Sequence, residues 1–369
     1  MKLTVEEIRL LAATFCPSNN ISTPQPFGGG HINDTYLLKR EDGSQFVLQR
    51  INKNVFPKPM DVMDNIQRVT HHLRKRIRAA GGDPERETLR MLKNTDGELC
   101  SIDRNGDYWR AYTFVGKCRS YDLVENAAMF RESGCAFGRF MSMLDDFDAA
   151  SLYETIARFH DTPKRFRDFR TAVENNLSGR ADNVRDLIDV ALSYEAFGST
   201  LMDQLHNGEL PLRVTHNDTK LNNVLINEKT GHAVCVIDLD TVMPGLCAYD
   251  FGDAIRFGAN TAAEDEKDLS KVGISMPLYR AYAEGYLSEV AEALTMEEID
   301  SLPVGAKMMT LENGIRFLGD YLNGDVYFKV EYPEHNLVRA RTQFRLLEEM
   351  DAHWDEMLSC VRELATKKG

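Results

Sequence analysis

The pattern of hydrophobic and polar residues divides the chain into an early strand-rich part and a later helical part. Before residue 116, short apolar runs with period-two alternation are bounded by turn residues, which is typical of strands. These runs are residues 27–37 (a strand, a glycine turn and a second strand), 46–51, 99–102 and 108–115. Residues 1–16 and 60–80 show helical character instead. From about residue 122 the pattern is mostly helical.

One polar segment stands out in the helical part of the chain. Residues 216–223 read His-Asn-Asp-Thr-Lys-Leu-Asn-Asn, so Asp218 and Asn223 stand in the spacing His-x-Asp-x-x-x-x-Asn. A strand-like run, 233–237, follows and ends at Asp238. This combination is the catalytic loop plus metal aspartate of kinase-type phosphoryl transfer.

Each residue type in this segment suits one chemical task. The Asp218 carboxylate can accept the proton of an attacking hydroxyl, and Lys220 can reach the transferred phosphoryl group as a point charge. The amide oxygen of Asn223 and the carboxylate of Asp238 can hold Mg²⁺ against phosphate oxygens. A hairpin between the two ligands would bring them to the same end. Asp240 is a rival ligand, and a plain turn is the alternative interpretation of the loop.

The sequence also contains a second, misleading kinase motif. Residues 250–252 spell Asp-Phe-Gly, the metal triplet of protein kinases, but they follow a Pro244-Gly245 loop and not a strand. We therefore assign the metal to Asp238. We expect Asp250 or Asp253 to brace the catalytic loop through backbone amides.

The predicted nucleotide-binding residues lie in the strand-rich part. Gly28, Gly29 and Gly30 form a turn between strands, where backbone N–H groups can approach phosphates closely, although a plain hairpin would look the same. The last predicted strand then runs into the helical part. Backbone groups of Phe114 and Val115 at this junction are candidates for contact with an adenine edge.

The order of elements predicts an α+β, bilobal, protein-kinase-like fold. A small antiparallel β lobe, residues 1–115, would bind the nucleotide. A larger helical lobe, residues 116–369, would carry the catalytic loop and the acceptor site. A length of 369 residues is long for a single core and agrees with two lobes.

One feature departs from the wider kinase pattern. Gln49 stands where kinases place the lysine that pairs with phosphates, and Arg50 points to the opposite strand face. The following helix, 60–80, offers Asp61 and Asp64 but no glutamate. The lysine–glutamate pair is therefore absent, and this is the support for a non-catalytic pseudokinase as an alternative.

Composition and charge narrow the classes of partner. A formal net charge of -13 disfavours nucleic acid and anionic membranes as partners. The chain has 7 cysteines without a Cys-x-x-Cys pair, which favours reduced thiols. The N-terminus does not have the pattern of a signal peptide, and no apolar run reaches membrane-spanning length. We expect a cytoplasmic protein whose partners are small molecules.

Several segments resemble one known group of enzymes. The chain resembles the aminoglycoside phosphotransferase and choline kinase group of small-molecule kinases and, within it, bacterial N-acetylhexosamine 1-kinases. The similar segments are residues 30–33, 212–223, 237–241, 250–258, 264–272 and 332–339. The catalytic octapeptide marks the broad group, whereas the runs at 264–272 and 332–339 are much narrower.

The resemblance implies an activity and a set of site residues. The implied reaction transfers the ATP γ-phosphate to the anomeric hydroxyl of N-acetylglucosamine or N-acetylgalactosamine, giving the sugar 1-phosphate and ADP. Asp218 would be the base, and Mg²⁺ would bind to Asn223 and Asp238. Arg316, Tyr327 and His31 match sugar-binding positions of the family.

Two alternatives stay open for the acceptor site. Glu312, Arg316 and Asp320 recur at helical spacing, so a ladder of salt bridges would explain them as well as a ligand does. The acceptor itself could be choline, homoserine or an aminoglycoside, since relatives of the implied fold use them.

Overall fold

A computed structural model describes residues 3–16, 21–28 and 32–366 and shows an α+β fold with an antiparallel N-terminal lobe and a helical C-terminal lobe. The strands are β1 (Gln25–Pro26), β2 (Asp34–Lys39), β3 (Gln45–Arg50), β4 (Met91–Leu92), β5 (Ser101–Ile102), β6 (Tyr108–Thr113), β7 (Cys118–Arg119), β8 (Arg213–Thr215), β9 (Val224–Asn227), β10 (Ala233–Val236) and β11 (Met243–Gly245). The α-helices are α1 (Val5–Phe15), α2 (Pro59–Ala79), α3 (Ala127–Ser142), α4 (Thr162–Asn175), α5 (Arg185–Ser193), α6 (Glu195–Gly198), α7 (Thr200–His206), α8 (Cys247–Gly258), α9 (Met276–Val290), α10 (Met296–Asn323), α11 (His335–Ala352) and α12 (Trp354–Thr366). The predicted fold class is confirmed.

The N-terminal lobe is one antiparallel sheet with a helix on each face. Its strand order is β1-β2-β3-β6-β4, and β5 also pairs with β6. Alternation along β3 and β6 turns Phe46, Leu48 and Trp109 towards α1, with which they form one hydrophobic cluster. Tyr112 belongs to the opposite face, in the cluster that contains α2. Gln49 and Arg110 are cross-strand partners on that face.

Most predicted elements of this lobe are confirmed. The helix predicted at 1–16 is α1, capped by a Thr4–Glu7 capping box. The helix predicted at 60–80 is α2, which starts with Pro59 at its first turn. β4 was not predicted, because two residues are too few to show a period.

Two small antiparallel sheets, β10-β9-β7 and β11-β8, hold the predicted catalytic residues in the C-terminal lobe. β8 pairs with β11, and β9 pairs with β10, as predicted for the segment between Asn223 and Asp238. The loop 216–223 connects β8 to β9, and residues 237–242 connect β10 to β11. Both loops therefore connect one of these sheets to the other.

Helix α8 packs behind these loops and explains the misleading motif. A Cβ at Gly252 would lie 2.3 Å from the Gly305 carbonyl oxygen, so α8 and α10 approach closely here. The glycine of the Asp-Phe-Gly sequence thus serves helix packing. Phe251 is buried among Tyr279, Tyr282 and other core rings.

One hydrophobic cluster spans both lobes. It contains α2 residues such as Ile66 and Val69 together with Phe137 of α3 and Val224 of β9. The seven cysteines are all free in the structure. Among the residues that the structure describes, no helix has the length and apolar character needed to cross a membrane.

Candidate active site

Asp250 fixes the backbone of the catalytic loop. Its two carboxylate oxygens accept from the N–H groups of His216 (2.8 Å) and Asn217 (2.7 Å), and the Thr219 hydroxyl donates to its carbonyl oxygen. Burial raises the pKa of Asp250 to about 6. The electrostatic effect of His216 and the hydrogen bonds from the two N–H groups lower this pKa, but by less than burial raises it. The expectation that Asp250 or Asp253 braces this loop is confirmed for Asp250.

We expect Asp250→Asn to lower kcat by about tenfold or more, because an amide group would face one of the two N–H donors and shift Asp218. The unpaired buried donor should also lower the free energy of unfolding by about 1–3 kcal/mol. An ADP-release assay and a denaturant titration measure the two effects. Asp186→Asn, on the exposed face of α5, is the control, and an unchanged kcat in Asp250→Asn would show that the brace does not position the loop.

His216 locks the loop onto the neighbouring hairpin. Its Nδ1 accepts from the Asp218 N–H at 3.3 Å, so its Nε2 carries the proton and donates to the Ile237 carbonyl oxygen at 2.9 Å. The ring is fully buried against Phe137 and Phe140. The imidazole therefore joins the loop of the predicted base to the residue before the predicted metal aspartate.

Asp218 lies in a cluster of complementary groups. Lys220 Nζ lies 2.8 Å from Asp218 Oδ1, and Asn223 Nδ2 donates to Oδ2 at 3.0 Å. Burial disfavours the charged form of Asp218, but Lys220, then His216 and Asn223, outweigh it, so the pKa of Asp218 lies below its ordinary value. The carboxylate is therefore ionised at neutral pH and accepts hydrogen bonds.

The orientation of Asn223 leaves one oxygen free. Its Nδ2 donates both to the carbonyl oxygen and to the carboxylate of Asp218, at 2.8 and 3.0 Å. Since both partners are acceptors, the amide must present its NH₂ group to them, and Oδ1 points elsewhere. An amide oxygen in this position is a suitable ligand for Mg²⁺.

Asp238 is the second predicted ligand of the metal. It adopts a left-handed backbone conformation (φ 60°), and its side chain forms no hydrogen bond or ion pair with any residue in the described ranges. The residue is exposed, so the carboxylate can be reached from solvent. The protein atoms that surround the carboxylate partly desolvate it, and this effect, then the negative charges of Asp240 and Asp218, raise its pKa to about 7. A divalent cation would relieve this repulsion.

Asn223 and Asp238 lie at the same end of the β9–β10 hairpin, since the Ile237 N–H donates to the Asn223 carbonyl oxygen at 2.9 Å. No group of three or more His, Cys, Asp or Glu side chains converges as a metal site among the described residues. Two protein ligands, completed by phosphate oxygens and water, are usual for Mg²⁺ in kinases. The rival ligand, Asp240, is instead engaged by Arg110 and Asn33.

The predicted nucleotide-binding residues are partly described. Gly28 has a positive φ of 80°, and the neighbouring Phe27 ring packs edge-on against Phe114 with centroids 5.8 Å apart. The Phe114 N–H donates to the Gln45 carbonyl oxygen at 3.3 Å, so it is not free to bond to adenine. The Val115 N–H has no hydrogen-bond partner among the described residues. Gly29, Gly30 and His31 lie outside the described residues.

A row of paired charges leads from the catalytic loop across α8. Asp253 is the next contributor after Asp218 to the raised pKa of Lys220, against the effect of burial. Arg256 is buried and donates to Asp253 at 3.1 Å and to Glu264 at 2.9 Å. The row thus connects Lys220 of the predicted catalytic loop to the segment that begins at Glu264.

The two runs that carry the narrower resemblance, 264–272 and 332–339, contact each other at this point. Arg339 Nε lies 3.8 Å from Glu264 Oε2, and His335 Nε2 lies 3.4 Å from Asp265 Oδ2. The Arg339 guanidinium also stacks over Phe317 of α10, 5.5 Å from the ring centroid. The two runs therefore belong to one wall that extends to α10.

Arg316 of α10 and Tyr327 of the loop after α10 lie close together, next to this wall. The Arg316 guanidinium lies 5.9 Å from the Tyr327 ring centroid and 5.4 Å from that of Phe328. Tyr327 is 73% exposed. Within the described part of the chain, Arg316 forms no ion pair or hydrogen bond, so the alternative salt-bridge ladder is not observed.

The other two members of the supposed ladder have different partners. Glu312 accepts from His160 Nδ1 at 3.1 Å and from the Thr162 hydroxyl at 2.9 Å. Asp320 accepts from the backbone N–H groups of residues 326–328 and from Asn336 Nδ2. Asp320 thereby shapes the loop that places Tyr327 over Arg316, a role that the sequence did not indicate because its donors are backbone groups.

Comparison with known proteins places the chain in a family. A model of the phosphotransferase enzyme family matches residues 23–294. The structure is similar to that of a microcompartment-associated aminopropanol kinase, with a TM-score of 0.60 and 15% sequence identity, covering 96% of this chain and 99% of that one.

Two further solved structures have the same fold. A choline kinase from Cryptosporidium parvum Iowa II has a TM-score of 0.59 and 12% identity, covering 97% of this chain and 99% of that one. An amicoumacin kinase, hAmiN, in complex with AMP-PNP, Ca²⁺ and Ami has a TM-score of 0.59 and 13% identity, covering 93% of each chain. Identities this low establish the fold and not the acceptor.

Proposed function

The chain belongs to the phosphotransferase enzyme family, and on that premise we propose that it is an ATP- and Mg²⁺-dependent kinase that phosphorylates the anomeric hydroxyl of N-acetylglucosamine or N-acetylgalactosamine. The products are the sugar 1-phosphate and ADP. The observation that carries the phosphotransfer is the Asp218 cluster beside the unpartnered Asp238 carboxylate. The sugar assignment is supported by the runs at 264–272 and 332–339 and by the free Arg316 guanidinium.

Asp218 orients the acceptor. Its ionised carboxylate accepts a hydrogen bond from the sugar O1–H and aligns that oxygen with the γ-phosphorus. The new O1–P bond forms as the bond between the γ-phosphorus and the β–γ bridging oxygen breaks, and ADP leaves. The O1 proton passes to Asp218. Because the pKa of Asp218 is low, proton transfer comes late, which suits a loose phosphoryl-transfer transition state.

Lys220 has two roles in this arrangement. It holds Asp218 in place through the 2.8 Å ion pair. Its pKa is raised, because Asp218 and Asp253 outweigh the effect of burial, so it stays cationic and can stabilise charge on the moving phosphoryl group.

The residues present fit a magnesium ion. Asn223 offers a free amide oxygen, and Asp238 offers a carboxylate that is repelled by its neighbours. When bound there, Mg²⁺ would neutralise charge on the phosphate oxygens of ATP. In this proposal residues 1–115 bind the nucleotide, with Gly28 to Gly30 near the phosphates and Phe114 and Val115 near the adenine.

Arg316 and Tyr327 are proposed to bind the sugar, together with His31. A guanidinium fork can donate to two adjacent hydroxyls or to an acetamide carbonyl. The exposed Tyr327 ring offers an apolar face for the sugar. Residues 116–369 would thus supply both the catalytic loop and the acceptor site.

We expect Arg316→Gln to raise the KM for the sugar by about tenfold or more, because a charged hydrogen bond is worth roughly 1.5–3 kcal/mol. The KM for ATP should change by less than about twofold. Steady-state kinetics with each substrate varied separately measure the two constants. Arg78→Gln, on the exposed face of α2, is the matched control. Equal increases in both KM values would remove Arg316 from the sugar site.

An ADP-release assay tests the proposed activity. The panel is N-acetylglucosamine, N-acetylgalactosamine, their 1-O-methyl glycosides, choline and kanamycin, each with ATP and Mg²⁺. Turnover of the free sugars without turnover of the methyl glycosides is the expected result. Turnover of choline or kanamycin alone would keep the phosphotransferase and contradict the sugar. No ADP release with any acceptor would support a pseudokinase.

A further inference from the structure

A buried arginine lies next to the position of the missing lysine. Arg110 of β6 is 1% exposed and is the cross-strand partner of Gln49. Its Nε and Nη2 both donate to Gln49 Oε1, at 3.0 and 2.6 Å. Arg110 therefore supplies a cation to the same face of the sheet, from the neighbouring strand.

The guanidinium reaches across to the other lobe. Arg110 Nη2 lies 2.5 Å from Asp240 Oδ1, and neither side chain is more than 4% exposed. Burying two charges is costly unless each is paired and hydrogen-bonded. The second oxygen of Asp240 accepts from Asn33 Nδ2 at 2.7 Å, and Asn33 Oδ1 accepts from the Asn52 N–H at 2.9 Å.

The same loop is held by a second element of the N-terminal lobe. Asn65 of α2 is fully buried and donates to the carbonyl oxygens of Val242 (2.9 Å) and Tyr153 (2.8 Å). Helix α2 lacks a glutamate for a lysine–glutamate pair. Asn65 makes its buried polar contact with this loop, whereas Arg68, His72 and Arg76 make exposed contacts with residues 145–151. β6, α2 and Asn33, which directly precedes β2, thus all attach to residues 240–242.

We propose that the Arg110–Asp240 ion pair is an interlobe link that positions the N-terminal sheet over Asp238. It stands in for the lysine–glutamate pair, but joins the sheet to the loop that follows the predicted metal aspartate and not to a helix. Asn33 directly precedes β2, so its hydrogen bond to Asp240 also ties the start of this strand to the loop that follows Asp238. Arg110 and Asp240 are positioning residues, and the proposal rests on the phosphotransfer proposed above.

The test uses Arg110→Met, Asp240→Asn and the double variant in the full chain. Each single change leaves a buried group without its partner, so each should lower Tm, and the double variant should recover much of that loss. The KM for ATP should rise by about tenfold or more in all three variants, since the lobes are no longer fixed at the spacing the nucleotide needs. The KM for the acceptor should change by less than about twofold.

Two further variants sharpen the comparison. Arg110→Lys keeps the charge without the planar fork and should recover part of the ATP affinity. Arg50→Met removes the half-exposed pair with Asp34 on the same sheet, and should leave the KM for ATP within about twofold of the wild-type value.

A merely structural pair would give a different result. Recovery of both Tm and the KM for ATP in the double variant, or equal increases in both KM values, would overturn the proposal. Calorimetric titration of AMP-PNP into the wild type and the variants, in EDTA, reports nucleotide affinity without phosphotransfer. Weaker AMP-PNP binding in the variants would therefore support the link even if the ADP-release panel were silent, and unchanged AMP-PNP binding would contradict it.

Discussion

Asp218→Asn is expected to lower kcat by about 10²–10⁴-fold, the usual contribution of a general base. The amide can still bond to Lys220 or to the Asn223 side chain through its oxygen, so the fold should persist. It cannot accept the O1 proton. Single-turnover measurement of phosphorylated product separates this chemical step from the binding of ATP and sugar.

The control for this prediction is Asp182→Asn, which removes a carboxylate that is 88% exposed in its side chain and lies in another part of the helical lobe. Its kcat should equal that of the wild type. Circular dichroism and Tm should be alike for both variants. A near wild-type kcat for Asp218→Asn would exclude Asp218 as the base.

Asp238→Asn is expected to lower kcat by about 10³-fold or more, because the site loses the charge that holds the cation against the phosphates. Asparagine also tolerates the left-handed conformation of this residue, so the loop should keep its shape. The Tm of the metal-free variant should equal or exceed that of the wild type, because the substitution removes a carboxylate that Asp240 and Asp218 repel.

The pH dependence of stability gives a second measurement for Asp238. Its pKa rises from 3.8 to about 7 on folding, so the folded protein binds the proton more tightly than the unfolded chain. The metal-free protein should therefore lose stability as the pH rises from about 4 to about 7, and this loss should be smaller in Asp238→Asn. Adding Mg²⁺ in the presence of ATP should further raise the Tm of the wild type but not that of the variant. An intact Mg²⁺ requirement in the variant would shift the ligand to Asp240.

The arrangement of the proposed catalytic residues could be predicted because they lie close together in the sequence. Asp218, Lys220 and Asn223 lie within one loop, and Asp238 follows a single hairpin whose turn and strands have clear patterns. Asp250 was predicted as a brace because it had the motif of a metal ligand without the strand that such a ligand follows. The structure confirms the brace through two backbone N–H groups.

The Arg110–Asp240 link could not be predicted because it depends on three separate features of the folded chain. The β3–β6 register sets Arg110 opposite Gln49, the β9–β10 hairpin places Asp240, and the two lobes must then meet. The one signal in the sequence was a charged residue between Trp109 and Ala111 in a strand otherwise read as apolar. A partner 130 positions away along the chain leaves no local pattern.

The position of the new phosphate ester tests the proposed function most directly. The purified protein is incubated with ATP, Mg²⁺ and N-acetylglucosamine labelled with ¹³C at C1, and the product is examined by ³¹P NMR. Phosphorus coupled to the labelled carbon is the predicted result, since O1 is the oxygen that Asp218 aligns. A sugar phosphate without that coupling, or no sugar phosphate while ATP is consumed with choline or kanamycin, would contradict it.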